Sequence, residues 1–184
     1  MTLPEVHVLC QGMIRREGNT ILEAHSSSTL VVCSDLTIVV DTSSAEYRPK
    51  VLNGLKGRGI DPRQVSLVIN THTHHDHSSN NDLFPYAELL VYDRRPPAEI
   101  ELRPGVMIVP TPGHTRGSVS LFVVSHRRYA IVGDAIPTQD NYLRWVPPGL
   151  NYDPEEALRS MRRIVDFADV IIPGHSAPFE TKRA

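Results

Sequence analysis

The sequence predicts an α/β fold, with mixed sheets at the centre and helices outside them. Three observations carry the prediction. Short runs rich in Val, Ile and Thr recur at strand length along the chain. Two segments, at 45–59 and 154–167, carry helical signals instead. The order is a coarse repeat, strands then a helix and again strands then a helix, which mixed sheets with outer helices satisfy.

Each element has its own signal. VHVLC (6–10), STLVVC (28–33) and TIVVDT (37–42) are apolar runs of strand composition. RREGNT (15–20) contains a turn signal, and Ser34-Asp35-Leu36 joins two runs tightly enough for a hairpin. Val51, Leu52 and Leu55 fall at helical spacing, Pro49 marks the start, and Gly57 and Gly59 offer stops. VSLVIN (65–70) is nearly continuous in apolar residues, as a strand buried on both faces requires. AELLVYD (87–93) reads as a strand broken by Arg94, Arg95, Pro96 and Pro97. VMIVPTPGH (106–114) runs into a Pro/Gly loop, and VSLFVVS (119–125) pairs with YAIVGD (129–134). Residues 137–152 form a long polar and aromatic loop. Asp153-Pro154-Glu155-Glu156 has the composition of a helix start, and the helix runs to about Phe167. ADVIIPGH (168–175) supplies a last strand and loop.

The 184 residues fit one domain, 1–184. A net charge of −2 excludes the strongly basic balance of a dedicated DNA-binding protein, and no DNA-binding surface is evident. Cys10 and Cys33 lie in apolar runs, outside any metal-ligand spacing, and are expected to be reduced and packed. The N-terminus lacks the pattern of a signal peptide, and no apolar run reaches the length of a membrane helix. A soluble, cytoplasmic protein is expected, with a homodimer plausible at this size.

Residues 72–77 read H-T-H-H-D-H, directly after the buried strand 65–70. His72 and His74, two apart on extended chain, point to the same side. Asp76 and His77 follow and can turn back toward the same point. Neutral imidazole and carboxylate suit a divalent metal such as zinc. Three further candidates share one context. His114, Asp134 and His175 each stand just past a strand, beside Gly113, Gly133 and Gly174, where backbones can approach closely. Seven ligands exceed one tetrahedral zinc and suit two metals sharing a bridging carboxylate.

THTHHDH, TPGHTRGS, VGDA and PGHSAPF, preceded by VVDTS at 39–43, occur in the order found in the metallo-β-lactamase superfamily, which the chain resembles over nearly its whole length. More narrowly, DVIIPGHSAPF resembles the metallo-β-lactamase domain-containing protein 1 group, which includes members implicated in RNA cleavage. The resemblance implies a four-layer αββα sandwich and a binuclear zinc metallohydrolase, with iron or manganese as other metals. His72, His74 and His114 would hold one metal. Asp76, His77 and His175 would hold the second, and Asp134 would bridge. A metal-bridging hydroxide would attack an ester-type bond, with Asp76 and Asp134 as catalytic carboxylates. Asp41 matches the first motif and is expected to hydrogen-bond a ligand imidazole or the loop backbone. The implied substrate is a small molecule or RNA: a phosphodiester, or a thioester or lactone. The alternative is a mononuclear non-haem iron enzyme of the persulfide dioxygenase kind.

The sequence departs from commoner relatives at several points. No cysteine replaces a ligand, as happens in many true β-lactamases. His74 stands where flavodiiron proteins have Glu. Ser78-Ser79 replace the usual glycine, and Arg116 stands where many relatives have Pro. Forty residues between Asp134 and His175 leave no room for the large insert of some RNA-processing relatives. Nine residues after His175 do not provide the helical domain of glyoxalase II-like enzymes, which lowers the thioester reading.

Five of the nine histidines are among the seven candidate ligands, so chance placement is a poor account of them. His75 should face solvent or support the site from behind, and His7, His25 and His126 should have no metal role. Tyr142, Arg144 and Trp145 have two readings. They form a wall facing substrate, or a loop that packs Trp145 for its own order. Arg116 either meets an anion or is solvated.

Overall fold

Neighbouring residues of single strands bury toward opposite sides, and that alternation builds the layers. The computed structural model describes residues 2–18, 20–96 and 98–182. In β4 (Ser28–Val32), Leu30 and Val31 enter different apolar clusters. In β5 (Thr37–Val40) and β6 (Leu67–Ile69), Ile38, Val40, Leu67 and Ile69 face one way while Val39 and Val68 face the other. Here β5 and β6 pair in parallel. These two strands, with β1 (Glu5–Cys10), β4 and β7 (Glu88–Leu90), make a sheet in the order β1-β4-β5-β6-β7.

The second sheet repeats the pattern. Its strands are β8 (Ile100–Arg103), β9 (Val106–Pro110), β10 (Val119–Val124), β11 (Arg128–Gly133), β12 (Val170–Pro173) and β13 (Phe179–Glu180), in the order β13-β12-β11-β10-β9-β8. Ile108, Leu121, Ile131 and Ile172 point at the first sheet and meet Ile38, Val40, Leu67 and Ile69 in one cluster. Val109, Phe122, Val132 and Ile171 point away, onto a helix.

The helices close the outer faces. In α1 (Arg48–Gly57), Val51 and Leu55, one turn apart, pack against Val39 and Val68. The last long helix spans Pro154–Phe167, with Asp153 accepting the Glu156 amide at its N-terminus and Pro154 at the first turn. Its Ala157, Met161 and Ile164 form a stripe at helical spacing, and Met161 and Ile164 are fully buried against the second sheet. Helix, sheet, sheet, helix gives an αββα sandwich. No helix among the described residues is long and apolar enough to cross a membrane. Both cysteines are free thiols, Cys10 buried and Cys33 partly so.

Four segments differ from the sequence expectation, each for a physical reason. Residues 13–25 form a separate ribbon, β2 (Met13–Glu17) paired with β3 (Thr20–His25). Arg15, Arg16, Glu17, Thr20, Ile21 and Leu22 are exposed, so the ribbon lacks the continuous buried face that marks a strand. Strand β8 is an edge strand whose Ile100 and Glu101 are exposed, which hides it likewise. The expected strand at 87–93 is ladder-paired only at Glu88–Leu90. The loop 137–152 contains a short helix (Gln139–Arg144) that ends at Trp145 in left-handed conformation, φ 51°.

Leu121 is fully buried between the sheets. Leu121→Ala is expected to lower unfolding free energy by about 2–5 kcal/mol, because a cavity there can collapse little. Urea denaturation measures it, and an unshifted midpoint would show that the inter-sheet layer is loosely packed.

Candidate metal centre

Strand ends deliver the side chains. Three short segments follow β6, β9 and β11, and one follows β12, all at one end of the sandwich. The segment after β6 carries His72, His74, Asp76 and His77, the last two on the single-turn helix His75–Ser78. His114 follows β9, Asp134 follows β11, and His175 follows β12. All seven come together. Ligand-competent atoms of His72, His74 and His114 lie within 4.8 Å of one another, as do those of His72, His77 and Asp134, and those of Asp76, His77 and His175.

Close backbone approach makes this convergence possible. Gly133 has φ +49°, and a Cβ there would collide with Thr71 Oγ1. A Cβ on Gly174 would collide with Asp134 Oδ1. Gly133 and Gly174 are therefore spacers for the ligand cluster and its support, whereas Gly113 makes room for Ala157 of the last helix.

Hydrogen bonds to the outer ring nitrogens assign the tautomers. His77 Nδ1 donates to Asp41 Oδ2 at 2.7 Å. His114 Nδ1 donates to the Leu150 carbonyl at 2.6 Å, and His175 Nδ1 to the His25 carbonyl at 2.9 Å. Thr71 Oγ1 donates to Asp41 Oδ2 at 2.8 Å, so it accepts from His72 Nδ1 at 3.1 Å. In the neutral form of all four rings the Nε2 lone pair then faces inward. His72 Nε2 and His114 Nε2 lie 2.9 and 3.1 Å from His74 Nδ1, and one proton there can serve only one of them. His77 Nε2 and Asp134 Oδ1 are buried and face each other at 3.4 Å without an aligned hydrogen bond. Converging lone pairs and orphaned buried acceptors are costly unless a cation lies among them. The donor set, imidazole and carboxylate, fits a divalent metal.

The local field has the same sign. Burial pushes the His72 and His74 imidazoles down, which keeps them neutral and able to ligate. Burial would do the same to His77, but the Asp41 and Asp134 carboxylates outweigh it and raise His77 well above its ordinary range. At His175, burial is again outweighed, by Asp134 and then Asp76. Asp134, despite burial, is held well below the carboxylate range by His77 and His175. Positive charge is thus drawn into a buried place, which a metal ion would exploit as a proton does.

Asp41 is 2% exposed and adopts φ 55°. Besides His77, it accepts the Thr71 amide at 2.7 Å and the Thr71 hydroxyl. His75 is exposed, as is His126. His25 is buried against the Tyr47 ring, centroids 3.4 Å apart, and supports His175 through its backbone. Sequence reasoning missed the carbonyls of His25 and Leu150, for which a sequence carries no signal. Thr71, a small hydroxyl residue preceding the cluster, was a signal available and unused.

A cleft of about 200 Å³ opens onto His74, Asp76, His114, Asp134 and His175. Its walls are Ile14, Arg16, Ile21 and Ala24 from the β2–β3 ribbon, facing Pro148, Gly149 and Leu150. The four substrate-contact candidates from the sequence are not in that lining. Arg116 lies over the Tyr152 ring at 4.8 Å. Tyr142 stacks on Phe179, centroids 5.2 Å apart, and its hydroxyl accepts the Lys182 amide. Arg144 is exposed, and Trp145 receives the Arg162 guanidinium at 4.5 Å while packing on the second sheet's outer cluster. Of the two readings of this loop, the geometry matches self-packing, because an aromatic beside an amphipathic helix gains more by covering it than by facing water.

The αββα fold and the imidazole–carboxylate donor set fit the class of metal-dependent hydrolases, and the relatives place the chain there. The chain belongs to the metallo-β-lactamase superfamily, whose family model matches residues 22–89 and 90–175. It is 35% identical to a probable metallo-hydrolase of Methanocaldococcus jannaschii, over 92% of this chain and 86% of that one. It is 36% identical to metallo-β-lactamase domain-containing protein 1 of Xenopus laevis, over 95% and 80%. An N-acyl homoserine lactonase of Bacillus thuringiensis is 28% identical over 68% of this chain and 62% of its own. Among solved structures, a Thermotoga maritima protein of the metallo-β-lactamase kind superposes with a TM-score of 0.77 at 19% identity, covering 97% of this chain and 99% of that one.

Two substitutions separate support of the centre from packing of the loop. Asp41→Ala is expected to weaken metal binding by about 10–100-fold, since His77 loses its anchor. Competition with a chromophoric chelator measures this, and wild-type affinity would remove Asp41 from the support of the centre. Trp145→Ala is expected to cost about 1–3 kcal/mol in thermal or urea unfolding, with substrate KM within about twofold of wild type. A raised KM at unchanged stability would return Trp145 to the substrate.

Proposed function

We propose that this hydrolase works with two zinc ions and cleaves an ester-type bond, a lactone or thioester, in a small molecule. The observation that carries the reading is the placement of the two Asp134 oxygens. Oδ2 faces His114 Nε2 at 3.6 Å, on the side of His72 and His74. Oδ1 faces His175 Nε2 at 3.2 Å and His77 Nε2 at 3.4 Å, on the side of Asp76. One carboxylate thus offers a separate oxygen to each of two ligand groups, as a bridging ligand must. His72, His74 and His114 would hold one ion, Asp76, His77 and His175 the other, with Asp134 between.

When bound, such ions supply Lewis acidity and lower the pKa of water to about 7, so that hydroxide is available at neutral pH. The chain's own groups do the rest. Asp76 Oδ2, 3.5 Å from His175 Nε2 and on the cleft, would orient the attacking water and accept its proton. Asp41 and Thr71 hold His77 and His72 in register through their outer nitrogens. Ile14, Ile21 and Leu150 line the cleft with apolar side chains, which a bound substrate would cover, strengthening the electrostatics inside.

Cleft size and charge favour a small substrate over RNA. A nucleic-acid strand needs a basic track. Arg16 is the only Lys or Arg among the described residues lining this cleft, and the chain's net charge is −2. The relative named as a lactonase supports the ester-type reading.

Plasma emission spectrometry tests the centre. The zinc-loaded wild type should hold two ions per chain and Asp134→Ala at most one, with the far-UV spectrum retained. Unchanged stoichiometry in the variant would remove Asp134 from the bridge. The two-histidine, one-carboxylate group His72, His77 and Asp134 also suits a single iron. One iron per chain with oxygen uptake would replace hydrolysis by oxygenase chemistry.

A further inference from the structure

We propose that the β2–β3 ribbon is the substrate-selecting wall of the cleft, and that Arg16 on it binds an oxyanion group at the far end of the substrate's acyl part. The substrate class is then a short apolar acyl compound, hydrolysed at one end and carrying a carboxylate or phosphate at the other. This rests on the hydrolase reading above and narrows it.

The ribbon has two chemically different faces. On one, Arg15 pairs across the strands with Glu23, with Nη2 to Oε2 at 3.6 Å. On the other, Ile14 and Arg16, two residues apart, both line the cleft. Opposite them stand Ala24 and Ile21. Those two are three residues apart and would normally point to opposite faces. The register shifts between Arg15 and Arg16, from Glu23 to Ile21, which leaves Leu22 as an extra residue. That bulge brings Ile21 back to the side of Ala24, and both line the cleft. Bulges of this kind re-aim side chains, and here the result is three apolar groups around one cation.

The ribbon is also fastened to the metal loops. The Ser26 amide donates to the Asp76 carbonyl at 3.1 Å and the Ser27 amide to the Gly174 carbonyl at 2.7 Å. The His25 carbonyl receives His175 Nδ1. Gly12 at the base lies so close to the Gly174 carbonyl that no Cβ fits. Arg16 is therefore carried on an element whose base is registered to Asp76 and His175, rather than on an independent arm.

Arg16 itself has no acidic or hydrogen-bonding partner among the described residues. Exposed Arg58, Arg94 and Arg144 have none among the described residues either, whereas Arg48, Arg63, Arg103 and Arg127 pair with Asp82, Asp61, Asp35 and Glu180; of the unpaired ones, Arg16 is the one that lines the cleft. A guanidinium beside Ile14, Ile21 and Leu150 meets an oxyanion in a lower effective dielectric than open water. The apolar walls accommodate the methylenes between the two polar ends, and an anion on the substrate would give Arg16 the charged partner it lacks among the described residues.

Calorimetric titration of the zinc-loaded full chain tests this without turnover. Short α,ω-dicarboxylates and ω-phosphono carboxylates would be compared with monocarboxylates of equal length, so that each ligand keeps one carboxylate for the metal end. In the wild type the second oxyanion should tighten binding by about tenfold at the matching length. Arg16→Gln should abolish that gain while leaving monocarboxylate affinity and the far-UV spectrum unchanged, and Arg16→Lys should retain part of it. Whichever oxyanion gives the larger Arg16-dependent gain identifies the group. No gain in the wild type at any length, or the same gain in Arg16→Gln, overturns the proposal. Failure of the hydrolase reading would look different: the Arg16-dependent gain would persist while lactones and thioesters bearing the same anion were not turned over.

Discussion

The bond between Asp41 and the Thr71–His77 segment is the constraint on which the site end of the molecule depends. Three donors converge on one buried carboxylate: the Thr71 amide, the Thr71 hydroxyl and His77 Nδ1. An unpaired buried carboxylate would cost several kcal/mol, so the donors cannot drift. The backbone accommodates the carboxylate at its own expense, since Asp41 and Ser43 both adopt left-handed φ, 55° and 64°. Replacement of Asp41 would release that strain and also the two segments it ties together.

The consequences spread to both sheets. The Asp41 amide donates to the Ile69 carbonyl at 2.9 Å, and the Thr42 amide to the His77 carbonyl at 2.7 Å, so the end of β5 is laced to the ligand segment. The Thr71 carbonyl accepts the Val119 amide of the opposite sheet at 2.9 Å. Thr71 thus joins the first sheet to the second at the point where the ligands must meet. Gly133 yields the space its side chain needs. The same hydroxyl orients His72. A residue with no direct role toward a metal accordingly sets the positions of two ligand rings and the spacing of two sheets.

This explains why some of the site was legible in the sequence and some was not. His72, His74, Asp76 and His77 are adjacent because one turn of chain can present all four, and adjacency is visible in a sequence. His114, Asp134 and His175 share a strand–glycine–ligand pattern because each loop passes too close to a neighbouring segment for a Cβ, so steric need leaves a mark too. The layers were legible as well, since strands such as Leu67–Ile69, buried on both faces, need apolar residues at every position. Of the ribbon 13–25 the turn within 15–20 was legible and the two strands were not. The ribbon packs against no continuous core, its bulge breaks the period of two, and its apolar cleft-facing residues look in sequence like scattered surface ones. Trp145 gave a visible signal with two physical outcomes. Arg162, seventeen positions on, lies over its ring, a contact that only the fold creates.

The division between metal loops and ribbon has a consequence for how such a molecule can vary. Changes at Asp41, Thr71 or Gly133 propagate into ring orientation and sheet spacing, because each group there satisfies another that is buried. The face formed by Ile14, Arg16 and Ile21 has no such obligation beyond its base. Arg16 has no acidic or hydrogen-bonding partner among the described residues, and Ile21 is 52% exposed. Substitution on that face alters what enters the cleft at little cost to stability, whereas the bonds from Ser26 and Ser27 keep the ribbon's base in register with Asp76 and Gly174. Chemistry is thus fixed by interlocked buried groups, and selectivity is carried by a ribbon that only touches them at its base.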